Sequence, residues 1–192
     1  MKIIGIDLAV KRNSDFCIMN VDGENIKIRM GFFKEDKEIV EIANIEKPDI
    51  ITIDSPLSFP KKGNLRKAEK DLKKRKIKFF PPKGMLSMEK LTERGIRLKN
   101  IMEKYGLRVV EVFPGAFKDM IGIPRKDRKK IVRFLEKNRI NIKKDITNDG
   151  LDAVLCALTG KIYLEGEAEL IGNKKEGQIV VPNEKYIKHC TG

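Results

Sequence analysis

Imidazole chemistry is all but missing from this chain, whose single histidine, His189, lies three residues from the C-terminus. Ser-His-Asp catalysis, Cys-His catalysis and His-ligated zinc all need a positioned imidazole, and a terminal position is a poor place for one. Cysteine is scarce too: Cys17, Cys156 and Cys190 are odd in number, far apart and contain no C-x-x-C pair. Neither a disulfide framework nor a structural zinc site is suggested, and Cys17 and Cys156, inside apolar segments, read as small core residues. No segment approaches the ~20 consecutive apolar residues of a membrane span. The apolar run at residues 1–10 is short, contains Asp7 and leads to no small-residue cleavage site, so it does not read as a signal peptide, and a cytoplasmic protein is expected. There is no internal repeat, no low-complexity linker and no G-x-x-x-x-G-K-[ST] phosphate loop. Any catalysis should therefore rest on carboxylates and a hard, oxygen-preferring cation.

What the chain has in excess is positive charge. Forty-one Lys and Arg against 28 Asp and Glu give a formal net charge of +13. Phosphate neutralisation by Lys and Arg supplies most sequence-independent affinity for nucleic acid, which makes nucleic acid the first partner to consider. A Lys-, Ile- and Glu-rich composition is equally that of heat-adapted, thermophilic proteins with solvated ion-pair surfaces. At 192 residues, 41% hydrophobic and 36% charged, residues 1–192 read as a single globular domain that buries roughly 70% of its unfolded surface.

Met1 to Val10 (MKIIGIDLAV) has the length and bounds of a central strand covered on both faces, with Asp7 inside it. An isolated buried charge is costly, so Asp7 must be paired, hydrogen-bonded or bound to a cation. Phe16 to Val21 and Ile26 to Phe33 flank the hairpin signal Asp22-Gly23-Glu24-Asn25, which predicts an antiparallel meander of three strands. A helix over Asp36 to Lys47, stopped at Pro48, connects the meander to Asp49 to Asp54 (DIITID), a strand expected to pair in parallel. Asp7 and Asp54 would then lie on neighbouring central strands.

Residues 61–106 read as a basic helical insertion. Lys61, Lys62, Arg66, Lys67, Lys70, Lys73, Lys74, Arg75, Lys76 and Lys78 are relieved only by Glu69 and Asp71 before Phe79-Phe80-Pro81-Pro82. Such a segment can track a phosphate backbone and stack bases on its aromatics; it can equally be a solvated helix whose two phenylalanines dock onto the core. From Ser87 as N-cap, Met88, Leu91, Leu98, Ile101, Met102 and Tyr105 form a helical core stripe closed by Gly106. Leu107 to Phe113 is a further buried strand holding Glu111 and closed by Pro114-Gly115. A helix over Lys126 to Asn138 carries a second basic face that includes Arg125 and Arg128. Thr147 and Asn148 look like caps for a helix from Asp149 to about Leu164, on which Asp149 and Asp152, at i and i+3, are neighbours. Residues 166–192 form a C-terminal extension with a hairpin of Ala168 to Ile171 and Gln178 to Val181, then a polar end.

Three or four carboxylates converging at one sheet edge need a cation, because two unit charges 4 Å apart repel by roughly 4 kcal/mol at an effective dielectric of 20. Paired divalent metals held by carboxylates are the recurring solution in nucleases and polymerases. Each acid also has a plain structural reading: Asp54 before Ser55-Pro56 can set a turn, and Asp149 can be an N-cap.

MKIIGIDLAV, IDSPLSFP, the Arg66-x-x-Glu69 segment running to FFPP, EVFPG and DGLDAVLCALTG, in this order, resemble the family known as domain of unknown function 429, regarded as predicted nucleases of RNase H-like fold. The likeness runs from about Met1 to Gly160. It implies an α/β fold of RNase H-like type, a five-stranded mixed sheet flanked by helices with strand one central. Within that fold, Asp7 with Asp149-x-x-Asp152 is similar to the layout of RuvC-type resolvases, Asp54 standing where those have Glu. The resemblance thus implies that Asp7, Asp54, Asp149 and Asp152 are catalytic ligands for two Mg²⁺ or Mn²⁺ ions. Glu111 is either a fifth acid or the partner that orients Arg66 or a nearby base. Lys11, Arg12, Arg66, Lys67, Lys70, Lys74, Arg75, Phe80, Arg125 and Arg128 are the candidates for contact with DNA or RNA. The bulky, basic Val10-Lys11-Arg12-Asn13 loop departs from the Gly- or Thr-containing turn more usual there. Resolvases of this fold work as dimers, which leaves room for a homodimer, although no apolar stripe predicts an interface.

The expected function is metal-dependent hydrolysis of a nucleic-acid phosphodiester. The rivals are a non-catalytic nucleic-acid-binding protein of the same fold and an ATP-binding module of the sugar kinase or actin type. The last wants a Gly- and Ser/Thr-containing phosphate loop after strand one, where this chain has Ala9-Val10-Lys11.

Overall fold

The computed structural model describes residues 1–143 and 145–191; Lys144, and Gly192 at the end of the expected C-terminal extension, lie outside the described residues. The chain opens with β1 (Lys2–Asp7), β2 (Ser14–Asp22) and β3 (Asn25–Phe33), and α1 (Asp36–Glu46) leads to β4 (Ile50–Asp54). Then come α2 (Lys67–Lys74), α3 (Leu86–Lys104), β5 (Val109–Val112), α4 (Pro114–Met120) and α5 (Arg128–Lys137). The remainder is α6 (Asn148–Leu164), β6 (Ala168–Asn173), β7 (Gly177–Pro182) and α7 (Glu184–Thr191).

The strands form one mixed sheet in the order β3-β2-β1-β4-β5-β7-β6. The meander is antiparallel, while β4 and β5 add in parallel to β1. These are the five strands expected from the sequence. The tail hairpin, expected only as a hairpin, docks β7 in parallel on β5 and so widens the sheet to seven strands. In the turn between β2 and β3, Gly23 supplies the positive φ of 54° that joins them tightly. α1 begins in a reciprocal capping box between Glu35 and Glu38 and ends at Lys47, left-handed at φ 46°, just before Pro48.

Alternation along the strands sorts the core into two layers. Ile4 and Ile6 of β1 join Ile51 and Ile53 of β4 in a layer covered by α1 and α3. Ile3 and Ile50 face the other way, into the layer containing α6 together with Phe117, Phe134 and Tyr186. α6 was expected to bury one stripe, yet it is buried almost all round from Gly150 to Ile162. The sheet covers its inner side, and α4, α5 and Tyr186 of α7 share its core.

Three local expectations need correction. Pro114-Gly115 does more than close β5: Pro114 occupies the first turn of α4, where its missing N–H costs nothing. α3 starts at Leu86 with Met85 in the capping position, so Ser87 lies inside the first turn, and Tyr105 at the stripe's end is exposed. The polar end after β7 forms α7, with Tyr186 buried. No helix among the described residues is long and apolar enough to cross a membrane.

Candidate functional site

β1 and β4 run parallel, and their terminal residues Asp7 and Asp54 are direct partners in register. Parity places both on the α6 side of the sheet, in line with Gly5 and Thr52. What lets α6 approach is the absence of side chain at two crossings. A Cβ on Gly5 would lie 2.3 Å from the Ala157 nitrogen and 2.4 Å from the Ala153 oxygen, and one on Gly160 would lie 2.7 Å from Ile3. Thr52 fastens the seam, its hydroxyl donating to the Cys156 carbonyl at 2.8 Å. Thr147 caps α6 by accepting from the Gly150 amide at 2.8 Å, so Asp149 is not the cap. Asp149 and Asp152 are therefore presented toward the strand ends.

Two cations lie among these acids. Arg12, about half exposed, reaches back from the loop after β1 to within 2.5 Å of Asp149 and 3.5 Å of Asp7. Lys118 of α4, only 6% exposed, donates to Asp152 at 2.7 Å. The bulky basic loop is thus where Arg12, the counter-ion, comes from. It is held in shape by Ser14, which accepts from the Ala9 amide at 3.1 Å, and by Arg94, which donates to the Ala9 carbonyl and to Ser14.

Four carboxylates against two cations leave the cluster short of positive charge. Burial raises Asp7 to about 7; Arg12 pulls it down while Asp152 and Asp149 push it up. Asp54 stands well above the ordinary carboxylate range, through burial first and then through Asp7 and Asp152. Asp152 is raised by burial despite Lys118. Among the described residues, no three acidic, histidine or cysteine side chains stand close enough together, as placed, to hold an ion. The donor chemistry nonetheless fits a hard divalent cation: every donor is a carboxylate oxygen, and the burial and mutual repulsion that raise these groups are what such an ion offsets.

Glu111 does not join the cluster. It pairs in register with Ile53, which puts it on the opposite face from Asp54. There it meets Arg66, with Nη1 at 2.7 Å and Nη2 at 2.6 Å from its two oxygens, and also accepts from the Leu57 amide at 2.8 Å. Arg66 Nη2 further donates to Glu69 at 2.5 Å. Glu111, also a candidate catalytic acid, thus stands apart from the cluster and is bonded to Arg66. Arg66, fully buried, cannot touch a phosphate backbone: burying a guanidinium requires such bonds, and they consume it.

The remaining basic candidates are scattered. Lys11 and Lys70 are exposed, Lys67 pairs with Asp71, and Lys74 stands 3.9 Å from the same carboxylate. Arg75 holds Glu169 at 2.5 Å, Arg125 holds Asp119 at 2.6 Å, and Arg128 opens α5. The two phenylalanines split the alternatives: Phe79 packs beside Leu72 and Ile77, whereas Phe80 is 67% exposed. Lys118, Gly5, Arg94 and Asp15 escaped the sequence reading. Asp15 is the register partner of Asp7 and accepts from Thr147 at 3.5 Å. A Pro at a helix start was the one available signal for Lys118, since it announces α4.

The arrangement places the protein in the RNase H-like α/β fold. The structure of Thermus thermophilus RuvC matches at a TM-score of 0.55 and 13% identity, covering 86% of this chain and 96% of that one. T. thermophilus RuvC in complex with a Holliday junction substrate matches at a TM-score of 0.57 and 11% identity, with the same coverage. The chain belongs to the DUF429 family, described as a protein of unknown function, whose model matches residues 5–177. No curated protein matches the sequence.

Proposed function

We propose that the protein is a metal-dependent nuclease that hydrolyses nucleic-acid phosphodiester bonds, with Asp7, Asp54, Asp149 and Asp152 holding two Mg²⁺ or Mn²⁺ ions. The observation that carries this reading is the register pair Asp7 and Asp54 at the ends of two central parallel strands, with the acids of α6 beside them. Bound there, divalent cations supply activation of a water and stabilisation of charge on the leaving oxygen.

The chain's own residues do the rest. Asp7 and Asp54, anchored on adjacent strands, give the site a rigid floor. Asp152 has a partner in Lys118, which keeps positive charge inside a partly dry site. Arg12, about half exposed, can exchange Asp149 for a substrate phosphate. The RuvC likeness lends the fold, and the Holliday junction bound by that protein is one substrate geometry to include in a screen.

A second reading, a nucleic-acid-binding protein without activity, is favoured by the pairing of Arg12 and Lys118 with three of the acids. The two readings separate when single-stranded, duplex and branched DNA and RNA are incubated with Mg²⁺ or Mn²⁺. Nuclease function predicts cleavage that falls at least ~10²-fold in Asp7→Asn, the scale on which loss of one preorganised charge partner lowers kcat. Retained binding with no cleavage by wild type on any substrate overturns it.

A further inference from the structure

A cavity of about 310 Å³ opens beside the acids, and Asp7 and Asp54 form one end of its wall. Away from them the wall is mostly apolar, with Phe80, Phe113, Phe79, Met88, Leu91 and Leu8 around it. Apart from Asp7, Asp54 and Arg12, the polar side chains that reach it already have partners. Arg66 donates to both Glu69 and Glu111, and the Ser55 hydroxyl sits 3.2 Å from each of the Pro56 and Leu91 carbonyls. No buried side-chain nitrogen or oxygen among the described residues lacks a partner. Away from Asp7, Asp54 and Arg12 the wall therefore offers mainly apolar and aromatic faces.

Its aromatic side is braced. Arg125 lies over the Phe113 ring at 5.2 Å from the centroid and donates to the Lys78 carbonyl at 2.5 Å, tying the start of α4 to the segment that ends in Phe79 and Phe80. Gly115 leaves room for this stack, since a Cβ there would meet Phe113 at 2.7 Å and Arg125 at 3.0 Å. Phe80 stands at the rim, 67% exposed. An exposed phenylalanine above a preformed apolar chamber has lost one face to water, and a flat ligand would cover it.

We propose that this chamber receives a single unpaired nucleobase, stacked against Phe80 and Phe113, from the strand whose phosphate lies at Asp7 and Asp54. The volume is at the lower end of the ~300–1,000 Å³ typical of small-molecule sites, room for one base and not for a base pair. Occupancy by a base rather than another apolar group follows from the juxtaposition. The chamber is continuous with acids suited to a phosphate-bound cation, Arg12 stands in its wall, and Lys78 and Lys83 are exposed on either side of the Phe79 to Pro82 stretch. The inference rests on the nuclease reading for the identity of the strand, and it narrows the substrate to nucleic acid with an unpaired nucleotide at the site: a single strand, a mismatch or a branch point. With most of its wall apolar and aromatic, the chamber accepts any of the bases with little preference.

The chain contains no tryptophan, so Phe80→Trp installs a lone indole at the rim that can be excited apart from the tyrosines. The test uses this variant in an Asp7→Asn background, titrated with strands of about eight nucleotides, within the usual single-strand site size, made as DNA and as RNA. A fully abasic strand of equal length and a blunt duplex serve as comparisons. The expected result is quenching by at least one intact strand, with binding about tenfold tighter than to the abasic strand, little quenching by duplex, and weaker binding in Phe113→Ala. Quenching of equal strength by the abasic strand or the duplex, or by none of the strands, overturns the chamber. The nuclease reading fails separately: it falls if wild type cuts nothing while quenching by intact strands persists, and it survives if wild type cuts intact and abasic strands alike.

Discussion

Gly5 and Ala157 meet backbone to backbone: a single methyl group on Gly5 would lie 2.3 Å from the Ala157 amide nitrogen. Two residues further along β1 stands Asp7, and five residues back along α6 stands Asp152, so this crossing sets the spacing of the acids. Gly5→Ala cannot be absorbed by a rotamer change because both partners are main chain. Overpacking of this kind costs about 1–3 kcal/mol, and each kcal/mol is worth roughly 2–4 °C in a chain of this size. Thermal denaturation should show a Tm lower by several degrees, with any cation-induced shift diminished in addition. A variant as stable as wild type would mean that α6 is not seated on Gly5.

Lys118 stands where a metal ion's charge would be useful, buried and bonded to Asp152. Lys118→Met removes that charge and keeps the bulk. Leaving one charged partner in a partly buried place costs about 1–3 kcal/mol, so in EDTA the variant should unfold at lower temperature than wild type. With saturating Mn²⁺ the gap should narrow, as the ion supplies the missing positive charge. A gap of unchanged size would assign Lys118 a packing role only.

The sign of the pH dependence follows from Asp7, whose carboxyl rises from 3.8 to about 7 on folding, chiefly through burial. Between those values the folded chain holds a proton that the unfolded chain has lost. Its contribution to stability is complete below about pH 3.8 and is lost as pH rises through about 7. Asp54 and Asp152 are raised in the same sense. Without divalent cations, Tm followed from about pH 5 to pH 8 should therefore fall more steeply for wild type than for Asp7→Asn, which has no proton to lose. Parallel curves would contradict the buried, crowded state of Asp7.

Much of this architecture was legible because it rests on local pattern. The Asp22 to Asn25 turn, the Pro48 stop and the β-branched DIITID run give the meander, α1 and the parallel β4, and with them the pairing of Asp7 and Asp54. What was hidden depends on which side of a strand faces what. One step in register separates Glu111 from the Asp54 face, and only the β4 to β5 pairing fixes that step. Arg66, in a run of lysines, looks like its neighbours, yet two glutamates draw it wholly inside. Lys118 was masked because Pro114-Gly115 reads as a terminator when it in fact opens α4, and Gly5 because a glycine in an apolar strand gives no hint of the helix it admits.

The central claim is that Asp7, Asp54 and the α6 acids hold divalent cations, and thermal unfolding tests it without knowledge of the substrate. Wild type and Asp7→Asn would be melted in EDTA and across a titration of Mn²⁺ or Mg²⁺. An ion that binds only the folded state stabilises it by about 2.7 kcal/mol at 100 times its dissociation constant, and the account predicts a corresponding rise in Tm for wild type and little or none for Asp7→Asn. A wild-type melting temperature indifferent to the cation, or an equal rise in Asp7→Asn, would contradict it.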